Sequence, residues 1–351
     1  MDKVLVAMSG GVDSSVAAFL LKQAGYDLFA AMMKLYGGEE NTCCSISDVE
    51  DARSVAFRLG LPFYVFNFAD TFGQEVLERF VYAYQNGATP NPCIDCNRYL
   101  KFERFLHRAS EIDCRLIATG HYARIEKQGS RYLLKKAADL SKDQSYVLYA
   151  MTQPQLARTL FPLGELTKAK VREIAQAQGL VNAKKKDSQD ICFAPDGDYA
   201  RFIEQYTGIQ SQEGVFKDKQ GNTLGRHKGV IHYTVGQRKG LGLSAGEPLY
   251  VCEVCAQSNT IFVGSQEQLY AKALTARDIN LIATNRLEGP VRVSAKIRYN
   301  QTEQPASVWQ LDEDAIRVEF AQPQRAITKG QAVVLYDGDV VVGGGTIEAA
   351  E

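Results

Sequence analysis

Over roughly the first two hundred residues, short apolar runs alternate with stretches whose apolar residues recur at helical spacing. Residues 3–7, Lys-Val-Leu-Val-Ala, read as a short buried strand, and the helix that follows, from Ser15 to Ala24, gathers Val16, Phe19 and Leu20 on one face. Residues 28–35, 63–68 and 116–119 read as strands, and residues 48–59, 71–84 and 98–110 as amphipathic helices between them. Such alternation predicts a parallel sheet with crossover helices. In open sheets of this kind ligands bind beyond the carboxyl ends of the strands. The loops at Ser9, Met33 and Gly120 are expected to converge there. After Tyr206 the texture changes: residues 215–264 are rich in glycine and turn signals, among them Lys219-Gln220-Gly221-Asn222 and Gly240-Leu241-Gly242. From about Ala271, residues 291–299, 306–311, 316–320 and 332–336 read as strands, and the run ends in Gly343-Gly344-Gly345. That spacing predicts a small β barrel. The expected organisation is an α/β domain over 1–205, a β-rich central domain over 206–270 and a C-terminal barrel over 271–351.

At 351 residues the chain is long for a single core, so two or three domains are expected. Hydrophobic content of 45% and charged content of 23% are ordinary for a water-soluble chain. No stretch has the apolar length of a membrane-spanning helix, and no charged-then-apolar leader opens the sequence. Eight cysteines in a chain of this type predict a reducing compartment, read as the cytoplasm, with metal or catalytic roles rather than a disulfide framework. The net charge of −1 neither requires nor excludes nucleic acid. Three local clusters, Lys184 to Lys186, Arg226-His227-Lys228 and Arg238-Lys239, lean towards a polyanionic partner; any one alone would read as a solvated face.

The chemistry begins at Met8-Ser9-Gly10-Gly11-Val12-Asp13-Ser14-Ser15, directly after the first strand. A Ser-Gly-Gly turn at a helix N-terminus points backbone N–H groups at an anion, where the helix dipole gathers positive charge. Ser9, Ser14 and Ser15 are expected to add hydroxyl donors, and Asp13 to offer a carboxylate to Mg²⁺. The common nucleotide loops do not match: no Lys-Ser/Thr follows the glycines, and their spacing is not Gly-x-Gly-x-x-Gly. The run resembles instead the PP-loop of the ATP pyrophosphatases. That resemblance implies an adenine nucleotide α hydrolase-like sheet domain that grips the pyrophosphate of ATP and transfers AMP to a substrate oxygen. Ala7 to Ser15 would then bind ATP.

A second chemical segment is Thr89-Pro90-Asn91-Pro92-Cys93-Ile94-Asp95-Cys96-Asn97-Arg98. Its prolines fix an extended turn before a helix, which predicts Cys96 near a helix N-terminus with a lowered thiol pKa. A third, Asp187-Ser188-Gln189-Asp190-Ile191-Cys192-Phe193, follows the lysine cluster, whose charge favours thiolate while burial between Ile191 and Phe193 opposes it. These segments occur in the order found in the tRNA-specific 2-thiouridylases. Gly120-His121-Tyr122-Ala123-Arg124, Lys142-Asp143-Gln144-Ser145-Tyr146, Gly236-Gln237-Arg238-Lys239-Gly240-Leu241-Gly242 and the terminal glycines agree, so the resemblance spans essentially the whole chain.

The resemblance implies ATP-dependent 2-thiolation of the wobble uridine of tRNA: O2 is adenylated, then a persulfide sulfur displaces AMP. By position Cys192 matches the persulfide carrier and Cys96 the cysteine that completes sulfur release, leaving a Cys96–Cys192 disulfide. Asn91, Pro92 and Cys93 match the segment that meets the target base, and Met33 and Gly120 the lining of the adenosine site. His121, Lys142, Asp143, Gln144, Arg298, Tyr299 and Gln331 match tRNA contacts. The implied partners are tRNA and a sulfur donor, either a cysteine desulfurase or a sulfur relay protein, with no membrane.

One departure matters. Many family members carry Asp where this chain has Cys93, and a thiol is a poorer proton shuttle than a carboxylate. Cys93, Cys96 and Cys192 form instead a three-thiolate set suited to a [4Fe–4S] cluster with one open iron. A cluster and a cluster-free persulfide cycle both use these residues; the Cys-x-x-Cys form tips the expectation slightly towards the cluster. Cys252 and Cys255 lie too far from that pair for a zinc ribbon and read as structural strand residues. Cys114 reads as core, and Cys43-Cys44 as loop residues without a chemical role. The rivals are another adenylating PP-loop ligase or amidotransferase, which needs no sulfur carrier, and a tRNA-binding protein whose nucleotide loop is vestigial.

Overall fold

Three fully buried residues, Val4, Leu5 and Val6, mark the strand on which the nucleotide loop is built. The computed structural model describes residues 2–36, 45–185, 191–244 and 246–351; Cys43, Cys44, Lys186 and the 187–190 part of the Cys192 segment lie outside them. The chain divides into two compact units, one of Met1–Val76, Cys93–Asp196 and Asp339–Val341, the other of Leu77–Pro92, Gly197–Gly338 and Val342–Glu351.

The first unit is the predicted parallel sheet. Strand β1 (Lys3–Ala7) leads into helix α1 (Val12–Gln23), then come β2 (Asp27–Lys34), α2 (Ile46–Arg58), β3 (Phe63–Asn67) and β4 (Leu116–Ala118). A hairpin, β5 (Arg124–Gln128) and β6 (Arg131–Lys135), precedes β7 (Thr159–Leu160) and helix α3 (Lys168–Ala177). The sheet order is β3-β2-β1-β4-β7, all parallel. The order therefore reverses between β1 and β4, and the crevice above that reversal is where such sheets hold ligands. Val16 and Ala17 of α1 and Val171 and Ala175 of α3 seal the sheet into one core. The β5–β6 hairpin, which periodicity did not reveal, pairs Lys135 with Val340, and Arg124 Nη2 donates to Asp339 Oδ2 at 2.8 Å.

In the second unit helix α4 (Tyr199–Thr207) is capped at its start by Asp198 Oδ1, which accepts the Arg201 N–H at 3.0 Å. Its Tyr199 and Phe202 pack edge-on against Phe80. Strands β8 (Gly214–Lys217), β9 (Thr223–His227), β10 (Tyr250–Cys255) and β11 (Thr260–Gly264) form a sheet of order β10-β11-β8-β9 over a small core of Phe216, Tyr233, Leu241, Val251, Ile261 and Val263. The expected barrel follows: β12 (Tyr270–Leu281), β13 (Val291–Lys296), β14 (Gln304–Gln310), β15 (Ala315–Arg325), β16 (Ala332–Asp337) and β17 (Val340–Ala350) run in the order β12-β15-β14-β13-β16-β17. It closes by antiparallel pairing of β12 with β17. The terminal glycine run lies inside β17. Cys252 and Cys255 sit on β10 and Cys114 is buried just before β4, as expected.

Candidate active site: the phosphate loop and the thiols

Helix α1 starts at an N-cap glycine, Gly11, with no side chain bonded to its first-turn N–H groups. Those donors have no partner inside the helix, which is the condition for binding an anion there. Gly10 has φ of +73°, and a Cβ on it would stand 2.5 Å from the backbone oxygen of Asp48. Only glycine fits both demands. Gly120, in the loop after β4, is held as tightly: a Cβ there would come 2.7 Å from the Ser14 nitrogen. The loops of Ser9 and Gly120 do converge on the first turn of α1. Met33 is half-buried on β2, whose pairing with β1 continues as Met8 N–H donates to Ala31 O at 2.8 Å.

Two expectations for this loop are corrected. Ser14 and Ser15 are buried, and both hydroxyls donate back to Gly11 O at 3.1 and 3.0 Å, so they brace the turn; Ser9 alone of the three serines is exposed. Asp13 does not stand open for a cation. Lys168 Nζ lies 2.7 and 2.8 Å from its two carboxylate oxygens, and Tyr122 Oη donates to Oδ1 at 2.7 Å. Motif reading missed Lys168. Its signal was its place: a lysine opening a helix opposes the dipole and so has another task. Asn182 was missed as well. Its Nδ2 donates to Gly10 O at 3.0 Å and Ser15 Oγ at 2.8 Å.

The residues matched to tRNA contacts fall into two groups. In the first unit Asp143 is buried and its carboxylate accepts from Ala137 N–H, Ser145 N–H and Ser145 Oγ at 2.9, 3.3 and 2.7 Å. Gln144 Oε1 accepts the Tyr122 N–H at 2.9 Å, so Gln144 braces the tyrosine that holds Asp13. His121 is buried between Phe102 and Phe161 with Nδ1 2.7 Å from Thr119 Oγ1, and burial, with the Lys101 charge, pushes its pKa well down. It is a neutral packing residue in this structure. Lys142 is half-buried. In the second unit Arg298 Nη2 donates to Arg325 O and Ala326 O at 3.0 and 2.6 Å, and Tyr299 is exposed. Gln331 Nε2 donates to Thr89 O at 2.7 Å, two residues before Asn91.

Residues 92–111 are helical, with a π-helical register over Cys96–Arg104. Cys96 therefore sits a turn inside the helix, and the predicted low pKa is wrong: burial pushes its thiol up to about 12, against the opposing pull of Lys101. Cys93 has an exposed surface, yet protein atoms crowd its sulfur and raise its thiol too. Cys192 is half-buried, fixed by Phe193, which packs edge-on against Phe72. A charge on Cys192 would raise both Cys93 and Cys96, so the three thiols share one neighbourhood, and no disulfide joins them. Among the described residues no group of three or more His, Cys, Asp or Glu stands in metal-ligating arrangement. The Asp13 carboxylate is taken by Lys168 and Tyr122. Lys185, from the lysine cluster, is bound to Asp48 and Asp51 at 2.7 and 2.6 Å.

Comparison with known proteins decides the family. Three family profiles match in sequence: the tRNA methyl transferase HUP domain over residues 2–196, the tRNA methyl transferase PRC-barrel domain over 200–265 and the aminomethyltransferase beta-barrel domain over 271–347. The tRNA-specific 2-thiouridylase MnmA of Clostridioides difficile (strain 630) is 51% identical over 99% of this chain and 98% of its own. That of Clostridium acetobutylicum is 49% identical over 99% of both chains. The chain belongs to the tRNA-specific 2-thiouridylase family. A 4-thiouridine synthetase–RNA complex with bound ATP aligns over 58% of this chain and 50% of its own at 18% identity and a TM-score of 0.39, too distant to inform the site. For a 2-thiouridylase-family chain, the phosphate loop and the thiols fall in one compact unit. Among the described residues no helix is long and apolar enough to cross a membrane.

Proposed function

We propose that this chain uses ATP to replace O2 of the wobble uridine of tRNA with sulfur. The observation that carries the reading is the pairing, in one unit, of an uncapped phosphate-type helix start with the neighbourhood of Cys93, Cys96 and Cys192, in a chain about half identical throughout to 2-thiouridylases. ATP enters with Mg²⁺ as part of the nucleotide complex. The backbone N–H groups of Ala7 to Ser15 hold the phosphates, with the Ser14 and Ser15 hydroxyls bracing the turn, and Met33 and Gly120 line the adenosine. Lys168, now on Asp13 in the first turn of α1, is the cation we assign to the departing pyrophosphate. Uridine O2 attacks the α-phosphorus and pyrophosphate leaves.

A sulfur donor, a desulfurase or relay protein, has loaded Cys192 as a persulfide. Its terminal sulfur attacks C2, and AMP leaves with the former O2 oxygen. Cys96 then attacks Sγ of Cys192, the S–S bond breaks, and 2-thiouridine departs as its thiolate. A Cys96–Cys192 disulfide remains, which a two-electron thiol reductant resets. Because burial keeps Cys96 protonated in the free protein, it loses its proton only once the base, bound along Asn91, Pro92 and Cys93, is in place. Segments 206–270 and 271–351 grip the tRNA, the latter through Arg298, Tyr299 and Gln331, while 1–205 acts on the base. We assign the work to the cytoplasm.

The test is thiolation of unmodified tRNA by metal-free protein with a persulfide donor, beside Cys96→Ser, Cys192→Ser and Cys93→Ala. Thiolation should vanish in the two serine variants while ATP still releases pyrophosphate. If thiolation instead needs bound iron and both are lost in Cys93→Ala, a cluster route replaces this one. If the serine variants turn over normally, the chain is an adenylating ligase of another kind.

A further inference from the structure

The loop between Thr234 and Leu241 is built with more bracing than a connection needs. In the second unit Gly236 N–H donates to Val251 O at 2.8 Å and Val251 N–H to Gln237 O at 2.9 Å, which locks the loop's entry to β10. Gln237 spans the turn with its side chain: Oε1 accepts the Thr234 N–H at 3.1 Å and Nε2 donates to Lys239 O at 3.0 Å. Leu241 anchors the exit by packing into the core with Phe216 and Tyr233. Gly236, Gly240 and Gly242 all take positive φ, so the path is one that only glycine follows easily. Between the anchors Arg238 and Lys239 stand exposed, and neither forms an ion pair among the described residues. Glu247 shares the recess beside Arg238 without pairing to it.

A solvated cation on a surface loop ordinarily needs no such scaffold. This loop is also joined to the residues assigned to tRNA in the same unit. Arg325 Nη2 donates to Gly236 O at 3.2 Å, and the carbonyls of Arg325 and Ala326 receive Arg298 Nη2. On its other side Thr234 Oγ1 lies 3.4 Å from Thr89 Oγ1, and Thr89 O receives Gln331. Arg298 and Gln331 thus meet through the base of one loop, and the tip of that loop is cationic.

The geometry points to Arg238 and Lys239 as a rigid clamp on the phosphate backbone of the tRNA, held in register with Arg298 and Gln331 by the base of the loop. This rests on the proposed function for the identity of the polyanion. Two adjacent cations on a fixed tip suit successive phosphates, which position a nucleic acid without reading its bases.

The test is binding of unmodified tRNA over a salt series to the full-length protein, to Arg238→Gln/Lys239→Gln, and to the charge-keeping Arg238→Lys/Lys239→Arg. The double glutamine variant should bind more weakly at every salt concentration. Its slope of log K against log salt should be shallower by roughly 1.4–1.8, about 0.7–0.9 for each phosphate no longer neutralised. The charge-keeping variant should keep the wild-type slope, and all three should unfold at the same temperature. An unchanged slope in the glutamine variant, with wild type binding tRNA, overturns the clamp and leaves the thiolation reading standing. A lowered slope in a protein that binds tRNA but never thiolates it supports the clamp while the proposed reaction fails. A glutamine variant that loses affinity with no change of slope overturns the clamp, since its cations then do not displace counterions.

Discussion

The phosphate loop and the thiol segment belong to one unit of the molecule, yet they relate to their sequence in opposite ways. At the phosphate loop the backbone is the chemistry. Gly10 and Gly120 are glycines because no Cβ has room, and the free N–H groups at the start of α1 follow from that path. At the thiols the side chain is the chemistry, and its reactivity is set by what packs around it. Cys96 lies one turn inside a helix and is buried, so its proton is held, where nearness to a helix start had implied the reverse. A backbone-built site is ready before substrate arrives; a buried thiol waits for substrate to complete it.

The largest effect that would break this contrast is at Gly10. Gly10→Ala places a methyl against Asp48 O in a conformation that itself costs about 1–3 kcal/mol for a residue with a side chain. With the clash added, ATP-dependent pyrophosphate release should fall by at least about a hundredfold. The thiols of the variant should still alkylate as in wild type. Steady-state pyrophosphate release and mass spectrometry of labelled peptides measure the two halves. A variant that keeps its ATP turnover would mean that the loop re-forms on binding and is not preset.

What the sequence disclosed divides along the same line. The sheet, the barrel and the phosphate loop were legible because periodicity and glycine are local signals that long-range packing seldom reverses. The β5–β6 hairpin was not, because its strands are short and carry no strong alternation. Lys168 and Asn182 escaped because each reaches the loop from more than 150 residues away, at separations of 155 and 167–172. The inward turn of Ser14 and Ser15 was hidden for a related reason: hydroxyls in a motif look like ligand donors until their burial is known. The family resemblance pointed to Cys93, Cys96 and Cys192, but the protonation of Cys96 is a property of its surroundings alone.

A middle-sized effect would sharpen the comparison at the thiols. Cys255, on β10, gives an internal standard, because hydrogen bonds from Ser258 hold its thiol below the ordinary value. Against a thiol near the ordinary value of 9.0, one pushed to about 12 presents roughly a thousandfold less thiolate at pH 8. Cys96 should therefore be alkylated far more slowly than Cys255, with a rate still rising above pH 10. The sign also fixes the stability: the raised native value means that Cys96 burial contributes fully below about pH 9 and that this contribution is lost as pH climbs towards 12. Equal labelling rates for Cys96 and Cys255 at pH 8 would show the thiol already primed in the free protein.

The smallest effect concerns the tie between the two regions. Asp48 packs against Gly10, and Lys185, seven residues before Cys192, binds both Asp48 and Asp51. Burial alone would raise the Asp48 carboxyl, but the hydrogen bonds from Lys185 and Ser45 outweigh it and hold the native pKa below 3.8. The stabilisation is therefore present at pH above 3.8 and is lost as acidification passes through the depressed native value. Lys185→Met should lower stability near neutral pH by about 1 kcal/mol or less, the range for partly exposed pairs. For a chain of 351 residues that is a shift in unfolding temperature of about 1–2 °C at most. The gap between variant and wild type should close in acid, where wild type has lost the same interaction. If it stays open there, the lysine stabilises through the packing of its stem, and the charge link between the phosphate loop and the approach to Cys192 does not exist. If it closes, thiolation measured in the same variant asks whether the link matters to the chemistry: loss of thiolation with pyrophosphate release intact would place its value on the thiol side, the side the sequence left least determined.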